Sequence, residues 1–196
     1  MTKFIIGVDE AGRGPLAGPV AVGVVKIPSN FDWTLLAGVG DSKKISPAKR
    51  EEIFKQAQHQ RHLGKLDFAV GMVGSSVIDE KGIVFAINLA MVRCIKRLKI
   101  APENCFIKLD GSLKAPVEFI QETIIKGDDK ELVIGLASIV AKVTRDKYME
   151  RIARKYTQYD FAVHKGYGTK SHREAIANYG KSPIHRVSYC KNIKTL

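Results

Sequence analysis

The chain has 196 residues, of which 45% are apolar and 27% charged. A chain of this size buries about 70% of its unfolded surface, so a core forms without disulfides or structural zinc, and the composition excludes disordered, collagen-like and membrane-spanning classes. Thirty-two Lys and Arg against twenty Asp and Glu leave a net charge of +12, and residues 142–196 hold thirteen of those bases against four acids. Such a basic lobe is the footprint of a polyanion binder, nucleic acid before membrane surface, although a merely basic surface would carry the same charge.

In chain order, Lys3 to Val8 reads as a short apolar strand ending on Asp9 and Glu10. The following run AGRGPLAGPV is too rich in glycine and proline for a helix. VAVGVVKI is a second strand, which suggests an antiparallel pair. Ser46-Pro47 marks a helix start, with Ser as N-cap and Pro in the first turn. Leu66 to Val73 reads as a strand. A helix is then expected from Asp79, because Ile83, Ile87, Ala90, Cys94 and Leu98 recur at helical spacing. Cys105 to Leu109 is another strand, ending at Asp110-Gly111. Ile124 and Ile125 form a short β-like piece leading to Lys126-Gly127-Asp128. A long basic helix is expected from Ser138 to about Tyr156.

Strands and helices in mixed order predict an α/β domain with helices on the sheet faces. No repeat or linker divides the chain, so one domain spanning 1–196 is expected, with a basic helical part from about 138. Cys94, Cys105 and Cys190 are odd in number and lack a CxxC pair. They read as reduced thiols of a cytoplasmic protein. The most apolar stretch, residues 132–141, is about half the roughly 20 residues of a membrane span, and the N-terminus lacks a signal-like apolar core.

The acids carry more information than the bases. Asp9 and Glu10 end one strand, Asp110 ends another, and Asp128 follows a third apolar piece. Strand ends are where open α/β sheets place their sites. Carboxylates gathered there would repel one another unless a cation joined them, and an all-oxygen donor set suits Mg²⁺ or Mn²⁺, not zinc. Acids for metal beside bases for phosphate suggest metal-assisted phosphodiester hydrolysis, in which one ion activates water and a second stabilises the leaving oxygen. Taken singly, each acid also reads as a polar strand end or a turn, and spacing alone does not bring them together.

Gly12-Arg13-Gly14 and Gly18 do not spell a dinucleotide fingerprint, since Pro15 and Pro19 forbid the helix it requires. The glycines would let backbone groups approach a ligand such as a 2′-hydroxyl, or would serve only a tight turn. No serine hydrolase elbow is present. His164, His172 and His185 match no zinc spacing and read as surface or core histidines.

GVDEAGRGPLAGPV (residues 7–20) closely resembles the signature of the bacterial ribonuclease HII family, the type 2 ribonucleases H. The resemblance continues in order through DSKK (41–44), LDG (109–111), KGD (126–128), ASIVAKVTRD (137–146), HKGYGT (164–169) and His185-Arg186. It implies a ribonuclease H-like fold, a mixed five-stranded sheet flanked by helices with further C-terminal helices. It implies endonucleolytic cleavage of the RNA strand in RNA–DNA hybrids. It also implies a cut on the 5′ side of single ribonucleotides in duplex DNA, leaving 3′-hydroxyl and 5′-phosphate ends.

By that pattern Asp9, Glu10, Asp110 and Asp128 are the catalytic, metal-binding acids, served by Mn²⁺ or Mg²⁺ in a two-metal reaction. Asp146 falls behind them as a supporting acid; Asp41 and Asp129 lie off the pattern. Gly12, Arg13 and Gly14 would read the 2′-hydroxyl and its phosphate, Tyr167 the sugar beyond the junction, and Lys43, Lys44 and Lys142 further phosphates. Arg13, where the sister type HIII usually has lysine, and a first strand starting at Lys3 favour HII. No clamp-binding motif is evident, no membrane partner is expected, and monomer is the default. A ribonuclease H-like DNA nuclease and a non-catalytic basic binding module remain the rivals.

Overall fold

The computed structural model describes residues 3–39 and 45–193. Five strands form one mixed sheet: β1 (Phe4–Ala11), β2 (Val20–Pro28), β3 (Asp67–Val73), β4 (Cys105–Asp110) and β5 (Gln121–Ile124), in the order β3-β2-β1-β4-β5. The expected antiparallel pair is present, with Asp9 opposite Gly23 and Glu10 opposite Val22. That pairing carries β1 three residues past Val8, so Asp9 and Glu10 lie within the strand and not beyond it. β1 and β4 run parallel, as do β4 and β5. The five-stranded mixed sheet with flanking helices is thus as expected.

Helix α1 (Pro47–His62) starts where the sequence places it, and the Ser46 hydroxyl accepts from the Lys49 N–H at 3.2 Å. The helix expected from Asp79 is two: α2 (Ser75–Lys81) and α3 (Ile83–Arg97). Gly82, at φ 84°, breaks the run between them. After β5 comes a single turn, α4 (Gly127–Lys130), entered through a left-handed Lys126. The long helix α5 (Leu132–Ala153) begins six residues before the expected Ser138. Residues 133–137 within it are apolar and buried on every side, so they carry no helical period to read. Two short helices, α6 (Phe161–His164) and α7 (Lys170–Tyr179), follow.

One face of the sheet packs on α3 around Ile87, Met91 and Ile107. The other packs on α1 and α5 around Ile53, Ile134 and Val140. Helix α5 lies directly on β1 and β2 because glycines stand beneath it. A Cβ on Gly7 would meet the Val133 carbonyl oxygen at 2.2 Å, and one on Gly23 the Ala137 oxygen at 2.2 Å. A third cluster joins Leu16, Met149, Tyr159 and Phe161, and seats the C-terminal segment against the glycine loop. No helix of the described residues is long and apolar enough to cross a membrane.

Candidate active site

The parallel register of β1 and β4 ends with Val8 beside Leu109. One step further along both strands stand Asp9 and Asp110, from residues a hundred positions apart. Asp9 is 5% exposed. Burial, with Glu10 and Asp110 as like charges nearby, pushes its carboxyl up to about 8 despite a Ser138 hydrogen bond that favours ionisation. Asp110 accepts from the Gly127 N–H at 2.6 Å. That bond ties the end of β4 to α4 and brings the buried Asp128 next in line. Glu10 pairs with Arg13 at 3.2 Å.

These four side chains are all hard oxygen donors, and the repulsion of Asp9 by Glu10 and Asp110 is what a divalent cation would relieve. The donor chemistry fits such an ion. Among the described residues no three His, Cys, Asp or Glu side chains are grouped to hold one as they stand. Three of the acids are turned instead on protein partners: Ser138, Arg13 and the Gly127 amide.

Beside the acids runs a groove of about 400 Å³ lined by Glu10, Gly12, Arg13, Gly14, Arg50, Ser138, Lys142 and Tyr167. The two outer glycines of the loop differ in kind. Gly12 sits at φ +84°, and a Cβ there would lie 2.0 Å from the Arg145 Nε. A Cβ on Gly14 would meet nothing within 4 Å. Gly12 is therefore glycine because the protein demands it, whereas at Gly14 the space is open to the groove.

The loop is held from below by two guanidiniums that sequence reading counts as surface charge. Arg186 donates to the carbonyls of Gly12 (2.7 Å), Arg13 (2.8 Å) and Gly18 (3.0 Å). Arg145 donates to those of Pro19 (2.9 Å) and Ala17 (3.2 Å). Both are fully buried, and neither makes an ion pair with a described residue. Burial and the proximity of Arg145 lower the Arg186 guanidinium to about 10. Nothing in their spacing distinguishes them from exposed bases; only their place in the blocks VTRD and His185-Arg186 singled them out.

Lys142 pairs with Asp146 at 2.9 Å, which places Asp146 beside the groove as a partner of a base and not of the acid cluster. The Lys142 ammonium lies 5.7 Å, and the Arg145 guanidinium 5.9 Å, from the centre of the Tyr167 ring. That ring is 43% exposed. Arg50 and Ser138, which line the groove, were not singled out in the sequence. Asp41, Lys43 and Lys44 lie outside the described residues. The three histidines read as surface or core are core: His164, His172 and His185 are buried together.

Residues 6–192 match the family model described as Ribonuclease HII. The Ribonuclease HII of Clostridioides difficile is 46% identical over 190 residues, covering 97% of this chain and 71% of that protein. That of Caldicellulosiruptor bescii is 46% identical over 194 residues, covering 99% and 90%. The solved PCNA:RNase HII complex of Archaeoglobus fulgidus superposes with a TM-score of 0.77 at 26% identity, covering 96% of this chain and 94% of that one. Near-complete coverage at that identity, over a sheet that puts its acids where the signature blocks fall, leaves one conclusion: the chain belongs to the ribonuclease HII family, the type 2 ribonuclease H endonucleases, which act on RNA–DNA hybrids.

Proposed function

We propose that Asp9, Glu10, Asp110 and Asp128 hold divalent cations and that the groove beside them reads a ribonucleotide within duplex DNA. The observation that carries this reading is the buried Asp9 set next to Asp110 by the parallel β1–β4 register. When bound, Mg²⁺ or Mn²⁺ would ease ionisation of the attacking water and offset charge on the leaving oxygen. The chain's own groups do the rest. Ser138 fixes the Asp9 carboxyl, and the Gly127 amide fixes that of Asp110. Arg145 and Arg186 draw the loop carbonyls inward, so Gly12, Arg13 and Gly14 offer their other side to the groove. The gap over Gly14 admits a sugar hydroxyl without a side chain in the way.

Lys142, with Lys43 and Lys44, would take phosphates, and the exposed Tyr167 ring would pack on the neighbouring sugar. Water oxygen attacks phosphorus, the P–O3′ bond breaks, and the leaving oxygen takes up a proton. The products are a 3′-hydroxyl and a 5′-phosphate. Apolar clusters on both faces of one sheet, with a third that joins the C-terminal helices to the loop after β1, support a single domain over 1–196. Three buried free cysteines support a reducing, cytoplasmic setting.

The test uses a labelled DNA duplex with one ribonucleotide beside its all-DNA counterpart, in Mn²⁺, Mg²⁺ or EDTA. The expected result is a metal-dependent cut on the 5′ side of the ribonucleotide, with the all-DNA duplex intact. Cleavage of both duplexes would make the enzyme a DNA nuclease, and binding without a cut would reduce it to a binding module.

A further inference from the structure

We infer that His172 and His185 are positioning residues that hold Tyr167 in place through a one-directional chain of hydrogen bonds. The inference rests on the reading of Tyr167 as a sugar-contacting ring. The three imidazoles are packed together: His164 and His172 stack at 4.3 Å and 17°, and His185 lies 5.2 Å from His172. Their protons follow from their partners. The Ser182 N–H donates to His185 Nδ1 at 2.8 Å, so that nitrogen is bare and the His185 proton is on Nε2. That N–H faces His172 Nε2 at 3.0 Å, which must accept. The His172 proton is therefore on Nδ1, where it donates to the Tyr167 carbonyl at 2.9 Å.

The third ring works from the other side. The Gly166 N–H donates to His164 Nδ1 at 3.1 Å, and His164 Nε2–H donates to the Tyr159 carbonyl at 2.6 Å. Two imidazoles thus grip adjacent backbone groups, the amide of Gly166 and the carbonyl of Tyr167. All three bare nitrogens already accept from protein donors, which leaves no lone pair for a metal ion and makes a zinc role untenable. A half-exposed ring on a fixed backbone is pre-organised for its ligand, with little left to order on binding. The same C-terminal turn supplies both grips on the groove: His185 reaches Tyr167 through His172, and the next residue, Arg186, holds the carbonyls of Gly12 and Arg13.

The experiment compares the full-length wild type with Tyr167→Ala, His172→Phe and His172→Asn. It measures kcat and KM on a single-ribonucleotide duplex and on a long RNA–DNA hybrid. Phe keeps the volume of the ring but cannot donate; Asn restores a donor where Nδ1–H stood. Tyr167→Ala should lose activity on the single ribonucleotide selectively. His172→Phe should reproduce that selectivity with a loss of about tenfold in kcat/KM, the scale of one hydrogen bond, and His172→Asn should recover most of it. A selective Tyr167→Ala with a His172→Phe that behaves like wild type, or loses both substrates equally, overturns the positioning role alone. An unselective Tyr167→Ala overturns the reading of the ring and this inference with it. Long-range ¹H–¹⁵N spectra of the wild type at neutral pH give a check that needs no variant to fold. His172 should be the Nδ1–H tautomer and His164 and His185 the Nε2–H tautomer; a protonated or Nε2–H His172 overturns the chain.

Discussion

Gly12 and Gly14 stand two residues apart in one loop, yet the same change should act on them through different quantities. Gly12→Ala forces a side chain into a left-handed backbone and onto the Arg145 guanidinium, so it should destabilise the fold by about 2 kcal/mol or more. Gly14→Ala meets open space, so its melting temperature should stay within a degree or so while cleavage beside a ribonucleotide falls. Thermal melts alongside the duplex assay separate the two; a Gly14→Ala enzyme with full activity would make that glycine incidental. Asp9 offers a second contrast. Burial, then like charges, raises its carboxyl to about 8, so without metal folding has to keep it protonated at neutral pH. Asp9→Asn removes that cost and should raise the melting temperature in EDTA by a few degrees, each kcal/mol being worth about 2–4 °C at this chain length, while abolishing metal-supported cleavage. Added Mn²⁺ should stabilise the wild type more than the variant.

At this scale the sequence was most legible where side-chain chemistry is distinctive, as in the acids at strand ends and the glycine loop. It was least legible for Arg145 and Arg186. A guanidinium is normally solvated, and only the folded loop shows that backbone carbonyls replace its water.

Among the elements, α5 depends on its approach to the sheet. Gly23→Ala would place a methyl 2.2 Å from the Ala137 carbonyl, where neither backbone can yield. It should cost about 3 kcal/mol, at the upper end of overpacking, and should lower activity only in step with the folded fraction. Denaturant titration with an activity assay checks both. The same helix shows why boundaries escaped the sequence. Residues 133–137 are buried on all sides, so no polar stripe marks them as helical, whereas α1 announced itself through a polar Ser46 cap and Pro47. The break at Gly82 was hidden for the opposite reason: the apolar period of α3 is strong, and one glycine does not interrupt it.

For the molecule as a whole, the excess of positive charge is smaller at the surface than the composition suggests, because two C-terminal bases among the described residues, Arg145 and Arg186, are sealed inside. The histidine cluster sets an acid limit on the fold. Burial lowers both His172 and His185 from 6.5 to about 4, with His164 and Arg173 adding repulsion at His172, and His172, Lys181 and His164 adding it at His185. Folded-state values below the unfolded ones mean that this stability is complete above pH 6.5 and drains away as pH falls toward 4. The slope is up to about 1.4 kcal/mol per pH unit for each proton. Melting temperatures across that window should fall more steeply for the wild type than for His172→Phe, and equal slopes would remove the cluster from the acid response.

The parallel pairing of β1 with β4 has a consequence for synthesis. Asp9 leaves the ribosome early, but its neighbour Asp110 belongs to a strand that follows three helices, and α4 and α5 come later still. A growing chain shorter than β4 carries Asp9 and Glu10 but neither Asp110 nor Asp128. On the proposed reading the site is therefore assembled late in synthesis, only after β4 has docked beside β1 and α4 has followed with Asp128.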